Sequence, residues 1–362
     1  MKTKIEKLEE KTFEENDSPE LPPPDIVAYN ELRSCADLVR MYKQKILEIQ
    51  PEFQRGIVWG SSDQTRFIDS LVKQLPIPSM CFSLDYKTQS WQVIDGLQRI
   101  WSIIRFLTEK TWTLSNLEDI DPKLSGQSVK NLIRKSSKQH YFYTRVENLT
   151  LPITVLRCDY TKESHTHYLF TIFHRLNTGG MKLNNQEIRN CIYSGEFNDL
   201  LKELDKDTQW REINRMKPGK TYRLTKQELI LRLFAFHDNY MQYAGRLARF
   251  LNDYMSNNKH MNNSQIMKKK RLFKRTVDII YNKIFDGKTA PKTSIALLEA
   301  LLVGVSFNLK SLKKKSPAKI KTLYRRLQKH SEFSEQKLSE GLAGKPRVIG
   351  RMKAAKLIFG RS

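Results

Sequence analysis

The chain has 362 residues, with 63 Lys and Arg against 39 Asp and Glu and a formal charge of +24. That length suits one large domain or two ordinary ones, and the charge favours nucleic acid or another polyanion as partner. No apolar run approaches the roughly 20 residues that span a bilayer, and the four scattered cysteines, Cys35, Cys81, Cys158 and Cys191, include no C-x-x-C pair, which argues against a zinc site or a disulfide framework.

Residues 1–28 are rich in Lys and Glu and then carry Pro19 and Pro22-Pro23-Pro24, the composition of a flexible lead-in that ends in a stiff polyproline segment. The charged start has no apolar h-region, so no secretory signal is expected and the reading is cytoplasmic. Ser34 is placed as an N-cap, and Leu38, Val39, Tyr42 and Ile46 behind it form a helical stripe. Leu47 and Ile49 lead into Pro51-Glu52-Phe53-Gln54-Arg55, where Pro51 sets an extended turn and Gln54 and Arg55 form a polar pair beside Phe53. Ser62 predicts a capped helix through Gln64 to Gln74 with Phe67, Ile68, Leu71 and Val72 inward, ended by Pro76 and Pro78. Met80 to Leu84 reads as a strand, Tyr86 to Gln89 as a turn, and Trp91 to Ile94 as the hairpin partner.

The stretch Trp91 to Leu107, WQVIDGLQRIWSIIRFL, is where strand becomes helix. Val93 and Ile94 suit a buried strand, Asp95-Gly96 breaks it, and Ile100, Ile103, Ile104 and Leu107 recur at helical spacing. A strand that enters a helix through a glycine turn gathers free backbone N–H groups and the positive helix end at one point, an anion site. Arg99 would add a cationic fork for phosphate, and Asp95 can hold a divalent metal or orient a water. A plain strand–helix connection, with Asp95 as cap and Arg99 in solvent, fits the same residues.

Beyond it, Ser115 to Gln139 reads as a polar insertion with one short helix, and Leu151 to Leu156 as a buried strand. Thr161 to Leu176 is helical, and its His165 and His167, two residues apart and without partner cysteines or an H-E-x-x-H pattern, are expected on the surface. Asn177-Thr178-Gly179-Gly180 is a turn. Glu187 and Arg189 lie on the next helix as either a buried brace or site residues. The remainder is mostly helical: Asn198 to Leu204, Thr225 to Tyr240, Tyr243 to Asn257, Ser264 to Phe285 and an apolar Thr293 to Leu309. Lys268, Lys269, Lys270 and Arg271 form a basic face that can meet a phosphate backbone or simply face water. From Lys310 onward sixteen Lys or Arg stand against three acidic residues; Lys313, Lys314, Lys315, Arg325 and Arg326 carry the strongest further hint of DNA contact. There is no GxxxxGK[ST] loop, and no His–Asn–His block of a nuclease after residue 200.

Taken together, Pro51 to Arg55, Trp59, Phe67 to Leu71, Pro76-Ile77-Pro78, Asp95-Gly96-Leu97-Gln98-Arg99, and Phe173 to Asn190 resemble one family. It is the ParB/sulfiredoxin-like domain found at the N-terminus of GmrSD-type (type IV) restriction enzymes and related phage-defence proteins. The family signature reads DGQQR, and Leu97 stands here for its first glutamine. The resemblance implies an α+β fold with a small mixed-sheet core over 29–160; the apolar stripes and the charge place a mainly helical region over 161–310 and a basic tail over 311–362 behind it. It also implies a nucleotide pocket in which Gln54 and Arg55 face Arg99, with Arg175, Asn177 and Thr178 lining the same cleft. The reading is a DNA-associated NTP hydrolase: NTP–Mg²⁺ on the Gly96 turn, Arg99 and Arg55 on phosphate, Asp95 placing metal or water, Gln98 orienting that water. Hydrolysis would gate DNA binding or a partner nuclease. A metal-dependent DNA nickase using the same cleft, and a non-catalytic sensor of modified DNA, are the alternatives; the oligomeric state is open.

Overall fold

The computed structural model describes residues 23–49, 59–176, 184–216, 225–339 and 342–360. The chain divides into a sheet-bearing unit within Glu20–Leu183 and a helical unit within Asn184–Ser362. The fold is α+β, as expected.

Five strands make the sheet of the first unit: β1 (Val27–Ser34), β2 (Leu47–Glu48), β3 (Met80–Asp85), β4 (Ser90–Asp95) and β5 (Thr150–Cys158), in the order β1-β5-β3-β4-β2. β1–β5 and β3–β4 run antiparallel, β3–β5 and β2–β4 parallel, so the sheet is mixed. The helices are α1 (Cys35–Lys43), α2 (Ser61–Val72), α3 (Leu97–Thr108), α4 (Val129–Ile133), α5 (His140–Asn148) and α6 (Glu163–Leu176). Ser34 caps α1 by accepting from the Asp37 amide at 3.1 Å. α2 starts one residue before the expected cap: Gly60 holds the N-cap position and Ser61 opens the helix. One core gathers Leu38, Ile68, Leu71, Phe82, Val93, Ile103, Phe106, Phe142, Ile153 and Val155, closing one face of the sheet with helices.

Two elements escape the sequence pattern. β1 alternates, but the residue of its first half that packs on the core is Tyr29, while Glu31 and Arg33 on the same phase are charged, so no apolar stripe announces it. α5, just after the polar insertion, buries only Phe142 and Val146, too sparse a stripe to stand out. The histidines are a correction: His165 and His167 are buried, not on the surface. His165 can sit inside because both ring nitrogens are used; Nδ1 accepts from the Asp159 amide at 3.0 Å and Nε2 meets Asp25 at 2.8 Å.

The helical unit holds α7 (Asn185–Ile192), α8 (Glu196–Leu204), α9 (Thr208–Ile213), α10 (Thr225–Asn239), α11 (Leu247–Asn257), α12 (Asn263–Asp278), α13 (Ile295–Phe307), α14 (Leu309–Lys314), α15 (Pro317–Gln328), α16 (Glu335–Ser339) and α17 (Lys345–Gly360). α13 is buried almost all round, as its apolar sequence demands. The expected helix Ser264 to Phe285 is divided: α12 gives way to a π-helical turn, Ile279–Ile284. There Lys283 donates to the carbonyls of Leu312, Lys313 and Lys315 at 3.2, 2.8 and 3.0 Å, meeting the negative end of α14. The basic C-terminal stretch is itself folded, with Ile320, Leu327, Met352, Ala355 and Phe359 in the core.

Candidate functional site

The DGLQR turn joins β4, the strand beside the short edge strand β2, to α3. Gly96 adopts φ +94°, a left-handed value that glycine accepts without penalty, and it brings no side chain to cap α3. The first intrahelical bond runs from the Ile100 amide to the Gly96 carbonyl at 2.9 Å. The amides of Leu97, Gln98 and Arg99 therefore belong to the open first turn, where the helix end favours negative charge. Space is tight on the other side: a Cβ on Gly96 would lie 2.5 Å from Met80 Cγ.

Asp95 and Arg99, four residues apart, are paired. Arg99 Nη2 donates to Asp95 Oδ2 at 2.7 Å, and Nη1 donates to the Pro78 carbonyl. Burial lowers the affinity of the Arg99 guanidinium for its proton, with Asp95 acting against that effect; an arginine stays charged through such a shift. Arg99 is only 15 % exposed and Asp95 37 %, so the carboxylate is the part of the pair that solvent and solutes reach. Cys81, paired with Asp95 across the strands, is buried, and its thiol is pushed up to about 12 first by burial and then by that carboxylate, so it is no nucleophile.

Gln98 is tied to the entry of α2. Its Oε1 accepts from the Trp59 amide at 3.4 Å, and the Trp59 carbonyl accepts from Gln64 Nε2 at 2.9 Å. Gln64 in turn accepts from Arg105 at 2.9 Å, and Arg105 pairs with Glu109 and lies 4.4 Å over Trp112. This chain, invisible in the sequence because its members are far apart, ties Trp59 and the start of α2 to α3. Gln54 and Arg55 lie outside the described residues, as do Asn177 and Thr178. Arg175 is exposed in the last turn of α6.

In the helical unit Glu187 and Arg189 part company. Glu187 closes a capping box with Asn184, accepting from its amide at 2.7 Å. Arg189 is the buried brace: it donates to Asn252 at 2.8 Å and to Glu228 at 2.8 Å. Of the basic face on α12, Lys268 and Arg271 are exposed. Lys269 is turned inward onto Asp238 and Tyr254 and lies 5.2 Å from the Phe234 ring centre, and Lys270 pairs with Glu203. Lys313, Lys314, Arg325 and Arg326 are exposed, and Lys315 is half-buried.

Residues 35–194 match the family described as GmrSD restriction endonuclease, N-terminal domain. This stretch is a GmrSD-type N-terminal domain. It takes in the sheet from α1 onward, the DGLQR turn and α7 of the helical unit. No curated protein and no solved structure matches the chain. No helix among the described residues is long and apolar enough to cross a membrane.

Proposed function

We propose that the GmrSD-type domain is a nucleoside-triphosphate hydrolase of a restriction-type phage-defence system, and that turnover at the DGLQR turn gates DNA engagement or a partner nuclease. The observation that carries this reading is the placing of Asp95, Gly96 and Arg99 at one strand–helix junction. An open helix start, a guanidinium and a reachable carboxylate converge there, the groups that phosphoryl transfer needs.

The triphosphate would lie against the Leu97, Gln98 and Arg99 amides. Mg²⁺ suits the site, since it is held by one or two carboxylates together with substrate phosphates and water; Asp95 would supply the carboxylate, and the ion would offset phosphate charge. Arg99 is already oriented by Pro78 and Asp95, so it can turn one N–H pair to a phosphate oxygen at little cost in ordering. Gln98, anchored on Trp59, would place the attacking water. On the helical unit, Lys268, Arg271, Lys313, Lys314, Arg325 and Arg326 are among the exposed cations available to a DNA backbone.

Phosphate release from each NTP with Mg²⁺, with and without DNA, tests the reading. Wild type should turn over, DNA should change the rate, and Arg99→Ala or Asp95→Ala should lose at least about a hundredfold of it with unchanged circular dichroism. Plasmid nicking without NTP would instead support the endonuclease alternative. Tight nucleotide binding with no product would support the sensor.

A further inference from the structure

One row of the sheet leads away from the candidate site on the face opposite the helical core, buried at Cys81 and exposed at Asn30. Asp95 on β4 pairs with Cys81 on β3, Cys81 with Thr154 on β5, and Thr154 with Asn30 on the edge strand β1. Three strand spacings separate Asp95 from Asn30, roughly 14 Å, which is of the order of the reach from the terminal phosphate of a nucleotide to its base. The far part of the row is a hydrogen-bonded ladder. Thr154 Oγ1 donates to Asn30 Oδ1 at 2.8 Å, and Ser79 Oγ stands 3.1 Å from Thr154 Oγ1. Ser79 Oγ also lies 3.2 Å from the Met80 carbonyl and 3.3 Å from the Pro152 carbonyl, both acceptors for its proton. Ser79 directly follows Pro78, whose carbonyl receives Arg99. The ladder thus begins where the guanidinium is held.

The neighbouring row on the same face is apolar. Leu32 stands opposite Pro152, each two residues from Asn30 and Thr154 and so on the same side of the sheet. Leu32 is 69 % exposed, more than any other large hydrophobic side chain among the described residues. An apolar floor beside an exposed carboxamide, whose Oδ1 is used by Thr154 and whose Nδ2 is left to donate, is chemistry suited to a nucleobase: a flat face to cover and acceptors at its edge. We propose that this face is the nucleoside subsite, with Leu32 and Pro152 under the base and Asn30 donating to a base carbonyl or ring nitrogen. The inference rests on the nucleotide reading above and adds to it the residues that choose the base.

The test is equilibrium binding of the four NTPs and of inorganic tripolyphosphate, each with Mg²⁺, to the full chain. Wild type should bind one or two NTPs at least about tenfold more tightly than tripolyphosphate. Asn30→Ala, at an exposed position, and Thr154→Val, which removes the ladder, should each weaken the preferred NTP by about tenfold, the worth of one hydrogen bond, and leave tripolyphosphate unchanged. Arg99→Ala should weaken both. Equal binding of NTPs and tripolyphosphate by wild type would overturn the subsite, as would Asn30→Ala and Thr154→Val variants that bind like wild type while Arg99→Ala fails; either leaves the phosphate site standing. A wild type that binds neither NTP nor tripolyphosphate would overturn the subsite and the nucleotide reading together.

Discussion

Gly96 does two jobs that no other residue can combine. Its φ of +94° turns β4 into α3, and its missing side chain leaves room for the buried Met80. Gly96→Ala would meet both the left-handed penalty and the Met80 contact, and is expected to cost about 2–4 kcal/mol, read as a lower urea midpoint at unchanged slope; an unchanged midpoint would show that the turn can relax. The neighbouring ion pair makes both partners matter to the proposed turnover. Asp95 keeps Arg99 in place before substrate arrives, so Arg99→Lys, which keeps the charge but loses the fork, should fall well short of wild-type phosphate release. The DGLQR residues were legible in the sequence because they lie together in one short stretch. The ladder of Asn30, Ser79 and Thr154 was not, because its members come from three separate elements and each alone is an ordinary surface residue.

At the scale of the element, α12 separates charge left in water from charge that folds. The run Lys268 to Arg271 is uniform in sequence, but helical geometry turns Lys269 onto Asp238, Tyr254 and Phe234 and leaves Lys268 and Arg271 in water. Lys268→Glu with Arg271→Glu is expected to weaken DNA binding and reduce its salt slope by about 2, with the melting temperature held. Lys269→Ala should instead lower stability by about 1–2 kcal/mol, since it leaves a partly buried carboxylate short of its partner. Filter binding across a salt series and thermal melts of both variants separate the two roles; equal loss of DNA affinity without destabilisation in Lys269→Ala would reverse the assignment. Between α13 and α17 close approach is set by Gly304, where a Cβ would come within 2.9 Å of the Ala355 carbonyl oxygen. A glycine inside a long apolar helix is read from sequence as a weak point; packing makes it the contact surface.

For the whole molecule the most consequential buried feature is the charge network of the helical unit. Glu228 receives Arg189 and Arg232, and Arg232 also reaches Glu299 at 3.3 Å. Burial drives Glu228 toward the neutral form, but its two guanidiniums overcome this and hold its carboxyl below the usual range; in Glu299 burial prevails and pushes the carboxyl up. Glu228→Ala would take a carboxylate away from two buried arginines and is expected to cost about 3–5 kcal/mol, measured by urea unfolding of the full chain. A small effect would mean that water enters the network. Arg189 lies in the stretch that matches the GmrSD family, and its part in this chain is to brace the fold.

By itself the sequence determined the fold class, the family of residues 35–194 and the strand–turn–helix that bears the candidate phosphate site, because local spacing encodes periodicity and turn chemistry directly. It also determined the excess of positive charge. Only the tertiary structure decided which charges are spent inside, as with Lys269, Arg189 and the histidines, and that the basic C-terminal stretch folds into helices with a buried side. Only there do Asn30, Ser79 and Thr154 meet. Those outcomes depend on pairing and burial between segments distant in the chain, and no local pattern records which far residue will satisfy a buried polar group.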